Sequence, residues 1–401
     1  MFKAKRVLGG GLSGLSGLSA IALSVTLVAC SSSGGGSNTG SNAGSSAGNS
    51  TASSSGSGSS ASPGAGNSAA ASTGGDSQGE AATLTFVGYG GDGQKAMIEG
   101  WQKPFTAQHP NIKFVNTSPP DVAQVKAQVQ SGNVNWSVMM VSPAAAEQNC
   151  GTLFEPLHFT GLDTSQLAPQ VVGKCYIGNF INATPFAYRT DAFPDPSKAP
   201  KTIADFFDTK KFPGKRGIVT NLQNGILEYP LLADGVAPDK LYPLDVDRAL
   251  KKLDTIRKDT LFAPNVGALE QAVASKQVDL FLLSDSRITS LMNQGVNITV
   301  VWDKTLTALN GTAVIKGAKN ADAAMQFAQF VAGPEASANI AAALGVQPVN
   351  KAAKPNLSPN AKKLAVFDPT VNTGQTITQD VEWYAQNFND VTTKLTNWLA
   401  G

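Results

Sequence analysis

Val278-Asp279-Leu280-Phe281-Leu282-Leu283 reads as a fully buried strand, preceded by the helical stretch Leu269 to Lys276. Trp136-Ser137-Val138-Met139-Met140-Val141 repeats the arrangement, behind a helical stretch from Val122 to Ser131 that ends near Gly132. Strands without a polar face need cover on both sides, which is the property of parallel sheets sandwiched by helices. Outward from these two runs the alternation continues. Ala82 to Val87, Asn111 to Val115 and Arg216 to Thr220 read as strands; Gln94 to Gln108, the stretch opening at Ile203, and the basic amphipathic Val246 to Lys258 read as helices. From Ala321 the chain turns helical, with Ala323 to Val331, Glu335 to Ala343 and a Trp-bearing amphipathic helix from Asp380 to Leu399. The fold class is therefore α/β. About 320 residues exceed what one core usually holds, so two lobes with a cleft between them are expected.

The rest of the 401 residues is of another kind. Residues 31–80 hold 43 Ser, Gly, Ala or Asn and no Leu, Ile, Val or Phe, too little apolar surface to offset chain entropy. Lys3, Lys5 and Arg6 followed by the short apolar run Ala20 to Ala29 form a secretory signal, because the glycines at 9, 10, 11, 14 and 17 dilute the run below a membrane span. Leu27-Val28-Ala29-Cys30 resembles the bacterial lipobox, making Cys30 the lipidation site and residues 30–80 a tether with a root-mean-square reach of roughly 40 Å. Without the signal, 28 basic face 29 acidic side chains, a balance that argues against nucleic acid as a partner. Cys150 and Cys175 remain, and in an exported protein such a pair is expected to form a disulfide. With His109 and His158 the only histidines, poly-His metal sites and most His-based catalysis are improbable, and neither metal nor cofactor is expected.

Several loops carry chemistry. Gly88-Tyr89-Gly90-Gly91-Asp92-Gly93 follows the first strand with dinucleotide-like spacing, but Asn116 or Thr117 stands where an acid would hold the ribose. The turn still offers backbone N–H groups to a carboxylate or phosphate. Ser284-Asp285-Ser286-Arg287 lies at the carboxyl edge of the buried strand, where open α/β sheets place ligands, and the Arg287 fork suits a carboxylate or phosphate. Asn221 and Asn224 follow the Arg216 to Thr220 strand in the same way, with Glu228 in the next helical turn. Lys210 to Arg216 reads as solvated loop charge, and Trp383 and Trp398 as packing residues.

Phe206-Phe207-Asp208-Thr209-Lys210-Lys211-Phe212-Pro213-Gly214-Lys215-Arg216, then Leu231 to Val236 and Asp239 to Ala249, resemble solute-binding proteins of the spermidine/putrescine type from ABC importers. Ser131 to Trp136, Ala187 to Pro194 and the Trp383 region carry the same likeness. It implies a two-lobed periplasmic-binding-protein fold of type II, closed by a hinge, with crossovers near Ala187-Tyr188-Arg189 and Val301 to Leu309. Polyamine-binding relatives carry a Trp and an acid in the turn that here reads Ser284-Asp285-Ser286-Arg287, so Ser284 replaces the Trp and Arg287 the acid.

The expected organisation is a signal at 1–29, a lipidated tether at 30–80, lobe 1 at 81–187, lobe 2 at 188–303, and a return to lobe 1 with C-terminal helices at 304–401. The expected function is a monomeric, membrane-tethered solute-binding lipoprotein of the cell envelope, handing a small polar solute to ABC permease subunits. Its expected ligand residues are Tyr89, Gly90, Gly91, Ser142, Asn221, Asn224, Glu228, Ser284, Asp285 and Arg287, for a solute bearing a carboxylate or phosphate. The alternatives are putrescine or spermidine, a sensory binding protein, and an extracytoplasmic enzyme using Asp285 or Glu228.

Overall fold

The computed structural model describes residues 81–401. Cys30, the signal and the tether lie outside them. In chain order, lobe 1 begins with β1 (Ala82–Val87), α1 (Gly91–Met97), α2 (Lys103–Gln108), β2 (Ile112–Thr117), α3 (Val122–Ser131), β3 (Val138–Val141) and α4 (Pro143–Gln148). The 13-residue β4 (Ile177–Arg189) then runs into a second region of α5 (Ile203–Phe207), β5 (Arg216–Val219), α6 (Glu228–Ala233), α7 (Val246–Asp254), β6 (Thr260–Ala263), α8 (Val266–Ala274), β7 (Leu280–Leu282) and α9 (Asp285–Asn293). The 17-residue β8 (Ile298–Val314) returns, followed by α10 (Ala321–Phe330), α11 (Pro334–Leu344), α12 (Pro359–Lys362), β9 (Gln375–Thr378) and α13 (Val381–Ala400).

The strands form one sheet in the order β2-β1-β3-β8-β4-β7-β5-β6, with β9 added to β8. β1, β2 and β3 are mutually parallel, as are β5, β6 and β7. The two long strands run antiparallel to each other and to the strands flanking them, β3 and β7. This is the two-lobed architecture expected from the sequence: parallel strands within each lobe, and β4 with β8 crossing between. Where they cross, their register jumps from Thr184 opposite Leu306 to Phe186 opposite Val301. Pro185 at the jump has no N–H to donate, which favours a break in the ladder. The Tyr229 hydroxyl on α6 repairs it, donating to the Thr184 carbonyl and accepting from the Leu306 N–H at 2.9 Å.

β7 shows why its sequence is apolar throughout. Leu280 and Leu282 face a core holding Phe186, Phe206, Ile218 and Tyr229, while Phe281 and Leu283 face another holding Val219, Leu269 and Ile288. Its hydrogen-bonded part is shorter than the apolar run because Asp279 turns its carboxylate to Arg189 Nη2 and the Lys215 N–H, each at 2.9 Å. In lobe 1, Phe86 stands edge-on to Trp101 and Phe327. The stretch read as one helix from Gln94 starts at Gly91 and contains a π-helical segment, Ile98–Gln102, whose last three residues are buried. Trp101 within it donates its indole N–H to the Ala336 carbonyl at 3.1 Å.

α10 and α11 contribute Phe327 and Ile340 to the lobe 1 core, whereas α13 contributes Tyr384, Val391 and Leu395 to the lobe 2 core. Trp398 packs edge-on to Phe262 beneath the Arg257 guanidinium, a packing role as expected. Arg216 departs from the solvated-charge reading of its run. It is fully buried, and its guanidinium donates to the carbonyls of Phe206, Asp208, Phe212 and Gly214. A fixed fork of five donors can close such a loop with backbone oxygens alone. Cys150 and Cys175 form the expected disulfide, with Cα atoms 5.4 Å apart. No helix among the described residues is long and apolar enough to cross a membrane.

Candidate functional site

The carboxyl ends of β1 and β3 in lobe 1, and of β5 and β7 in lobe 2, carry the loops singled out in the sequence. After β1, Gly90 and Gly91 take φ of +75° and +52°, a turn that side-chain-bearing residues adopt with strain. The turn projects Tyr89, whose ring is exposed while its hydroxyl donates to Asn310 Oδ1 on β8 at 2.8 Å. Beside it lies an open groove of about 350 Å³ lined by Gly90, Gly91, Gln94, Asn116 and Ser118 among others. An amide network stiffens one wall, with Asn116 bonded to Gln94 at 2.6 Å and to Gln102 at 2.7 and 2.9 Å.

Ser142 ends β3 and caps α4, its Oγ accepting from the Ala145 N–H at 3.2 Å. After β5, Asn221 is exposed and opens a short turn. Within that turn Gln223 donates to the Leu309 carbonyl of β8 at 3.0 Å, and the buried Asn224 donates to Thr184 Oγ1 of β4 at 3.3 Å. Ser142, Pro143 and Ala144 from lobe 1 thus meet Leu222 and Gln223 from lobe 2 over Leu309, with Gln379, Val381, Tyr384 and Phe388 completing the floor. The space they enclose is about 20 Å³.

Glu228, the first residue of α6, does not line this space; it lies behind it. Its fully buried Oε1 accepts from the hydroxyls of Tyr242 and Tyr384 and from Gln379 Nε2, at 2.8 to 2.9 Å. Oε2 has no hydrogen-bond partner. Removal from water holds this carboxyl above the usual carboxylate range, opposed only in part by the three donors.

The turn after β7 divides three ways. Ser284 is buried, its Oγ 3.3 Å from that of Ser286. Asp285, also fully buried, receives the Ser286 N–H on Oδ1 at 2.8 Å, and the Ala183 N–H and the Gln347 amide on Oδ2 at 3.1 and 3.5 Å. Burial pushes this carboxyl up to about 7. Its place follows from register: Phe186 pairs with Leu282 and Tyr188 with Leu280, so continuing the antiparallel ladder sets residue 285 opposite Ala183. The carboxylate stands in for a missing strand and ties lobe 2 to the crossing strand and to Gln347, which itself bridges Ile181 in lobe 1. Arg287 turns along the helix surface to Glu270 of α8, Nη1 to Oε2 at 3.1 Å. Its charge is met within lobe 2.

The structure therefore brings together Ser142 and the Asn221–Asn224 turn, with Tyr89 reaching Asn310 beside Leu309. Asp285 stands at the hinge, Glu228 under the floor, and Arg287 apart from them. Gln223, Asn310, Gln379 and Tyr384 also stand at this candidate site, and sequence reading passed them over. The visible signal was Gln379-Asp380 ahead of the last helix and a tyrosine on its apolar face, a side chain that when buried usually finds a polar partner. Among the described residues no group of three or more His, Cys, Asp or Glu could hold a metal ion.

Two α/β lobes on two crossing strands, with polar loops from both facing one cleft, define a periplasmic binding protein. The chain belongs to the bacterial extracellular solute-binding protein family, whose model matches residues 100–368. It is 27% identical over 333 residues, 81% of this chain and 93% of the relative, to the gamma-aminobutyric acid-binding protein of Pseudomonas aeruginosa. The solved structure of the Atu4243–GABA receptor is 34% identical with a TM-score of 0.71, covering 79% of this chain and 97% of that one. The binding protein AgtB of A. tumefaciens R10, in complex with agropinic acid, is 27% identical with a TM-score of 0.69, covering 80% and 99%. The protein is thus a solute-binding component of an ABC transporter for a small polar or charged molecule, in an extracellular or periplasmic family.

Proposed function

We propose that the solute is a small molecule carrying both a primary amine and a carboxylate, of the size of γ-aminobutyrate, captured without turnover. The observation that carries this reading is the lining of the cleft. The polar side chains that meet there from the two lobes, Ser142, Gln223, Gln379 and Tyr384 with Tyr89 and Asn310 nearby, are all hydroxyls and amides, set among apolar neighbours, and none is charged. A dication such as putrescine would need two exposed anions, yet Asp285 and Glu228 are both fully buried. Desolvating an unmatched charge is costly, so a solute whose own charges cancel suits this lining better than a polyamine. The resemblance to the spermidine/putrescine type is in this reading one of fold, and the relatives named for γ-aminobutyrate and agropinic acid support a carboxylate-bearing ligand.

The carboxylate end would lie toward the Gly90-Gly91 turn, which lines the open groove together with the Lys95 side chain, while Tyr89 reaches the other way to Asn310. Asn221 and Asn224 would bear on the solute from lobe 2 as the cleft closes. Arg287, already paired with Glu270, stays outside the contact set. Lipidation at Cys30 would anchor a monomer to a bacterial membrane, with residues 30–80 as tether, 81–187 and 188–303 as lobes, and delivery to permease subunits. A thermal-shift panel of γ-aminobutyrate, other amino acids, dicarboxylates, phosphonates, putrescine and spermidine tests the reading. Stabilisation by amino acids supports it. If putrescine or spermidine alone raises the melting temperature, the polyamine assignment replaces it; if a panel compound is consumed, the protein is an enzyme.

A further inference from the structure

We infer that the floor of the cleft, formed by Gln379, Tyr384 and the Leu309 carbonyl, is a subsite for a primary ammonium group, with Glu228 as the counter-charge behind it. This rests on the reading that the solute bears an amine. The hydrogen-bond inventory of the floor points to a cation. Gln379 has two N–H donors, and both are engaged, one by Glu228 Oε1 and one by the Leu222 carbonyl, each at 2.9 Å. Both neighbours are acceptors, so the amide orientation is fixed, and what Gln379 has left is its carbonyl oxygen. Tyr384 has one hydroxyl proton, directed to Glu228 Oε1 at 2.9 Å, and beside the Gln379 amide its oxygen keeps one lone pair. The Leu309 carbonyl accepts from Gln223 and keeps a second lone pair. The floor thus presents oxygen acceptors whose own protons point elsewhere.

The charge comes from one layer deeper, where an entering cation favours the ionised form of a carboxyl that burial alone disfavours. Glu228 is fully buried, its hydrogen-bond donors are the neutral Tyr242, Tyr384 and Gln379, and Oε2 has no partner. Tyr229 beside it is neutral as well, and Asp380 bears on Tyr242 with a negative charge. No cation among its hydrogen-bond partners offsets this carboxylate. Hydrogen-bonded chains polarise one another in a medium of low dielectric, so the hydroxyl and amide pass the negative potential on to their outward oxygens. A cation there lies one hydrogen bond from the carboxylate and relieves a buried charge that is otherwise costly. The space of about 20 Å³ also selects. It accommodates a group of about the size of one water molecule, as an –NH3⁺ head is, and excludes a trimethylammonium. Val381, Phe388 and Leu222 around it suit a short aliphatic chain.

The experiment is calorimetric titration of the wild-type protein, Glu228→Gln and Tyr384→Phe with γ-aminobutyrate and its N-trimethyl analogue, from about pH 8 to about pH 5. The wild type should prefer γ-aminobutyrate at least tenfold and lose affinity as the pH falls, since protonating Glu228 removes the counter-charge. Glu228→Gln should bind at least tenfold more weakly with a flat pH profile, a readout that loss of packing alone would not produce. Tyr384→Phe leaves the carboxylate in place but removes a floor oxygen, and should weaken binding similarly; it decides the matter if Glu228→Gln does not fold. Equal affinities and equal pH slopes in wild type and Glu228→Gln would overturn the subsite and leave the proposed function intact. If no amine-bearing solute binds the wild type, the proposed function falls and the subsite with it.

Discussion

Asp285 and Glu228 are both fully buried acids, and each is the first residue of a lobe 2 helix near the hinge. Asp285 has both oxygens filled, by two backbone N–H groups and one amide, and it holds a strand edge together. Glu228 gathers three side-chain donors from two distant segments onto one oxygen and leaves the other bare. A carboxylate satisfied by backbone is part of the frame, because the frame supplies its partners whatever else is bound. One held by side chains that also face a cleft is coupled to what enters the cleft. The difference lies in the partners, since burial and helix position are the same.

The largest effect that could break this contrast is the pH dependence of stability. Asp285 titrates near 7 in the folded protein and near 4 when unfolded, so the folded state holds its proton more tightly. The associated stabilisation is complete below about pH 4 and is lost as pH rises to about 7, on the order of 4 kcal/mol. In urea unfolding across that range, Asp285→Asn should lack this component, because an amide oxygen keeps the Ala183 bond without a titrating charge. An unchanged slope would remove Asp285 from the frame. Next comes Tyr229→Phe, which strands the Leu306 N–H at the crossing and should cost about 2 kcal/mol in the same measurement. Asp380→Ala removes the cap on Trp383 N–H that starts α13, and should cost about 1 kcal/mol while loosening Tyr384 against Glu228. The smallest effect is expected from Arg287→Ala. Its half-exposed pair with Glu270 should be worth less than about 1 kcal/mol, with solute affinity changed less than about twofold. A large affinity loss there would return Arg287 to the site.

The fold was legible because burial on two faces leaves a local mark. Leu280 to Leu283 has no polar face, and neither does Val138 to Val141, so the parallel strands within the lobes could be read directly. The crossing of β4 and β8 came only through the family resemblance, since it joins residues such as Ile177 and Thr312 that are far apart in sequence. The loops of the cleft were legible as strand ends. What each polar residue does there was not, because its partners come from elsewhere: Glu270 for Arg287, Ala183 for Asp285, and Gln379 and Tyr384 for Glu228. Arg287 looked free in the sequence because the acid that neutralises it sits on another helix. Tyr384 drew no reading because its ring sits among the apolar residues of the last helix, while its hydroxyl reaches across the lobe 2 core to Glu228.

We have proposed that the cleft, whose polar side chains are uncharged hydroxyls and amides over the buried Glu228 carboxyl, takes a solute whose charges cancel. Calorimetric titration of the wild-type protein at neutral pH with γ-aminobutyrate and, separately, putrescine tests it most directly. γ-Aminobutyrate should bind saturably, one to one, and putrescine should give no measurable heat. Saturable binding of putrescine with none of γ-aminobutyrate would contradict it.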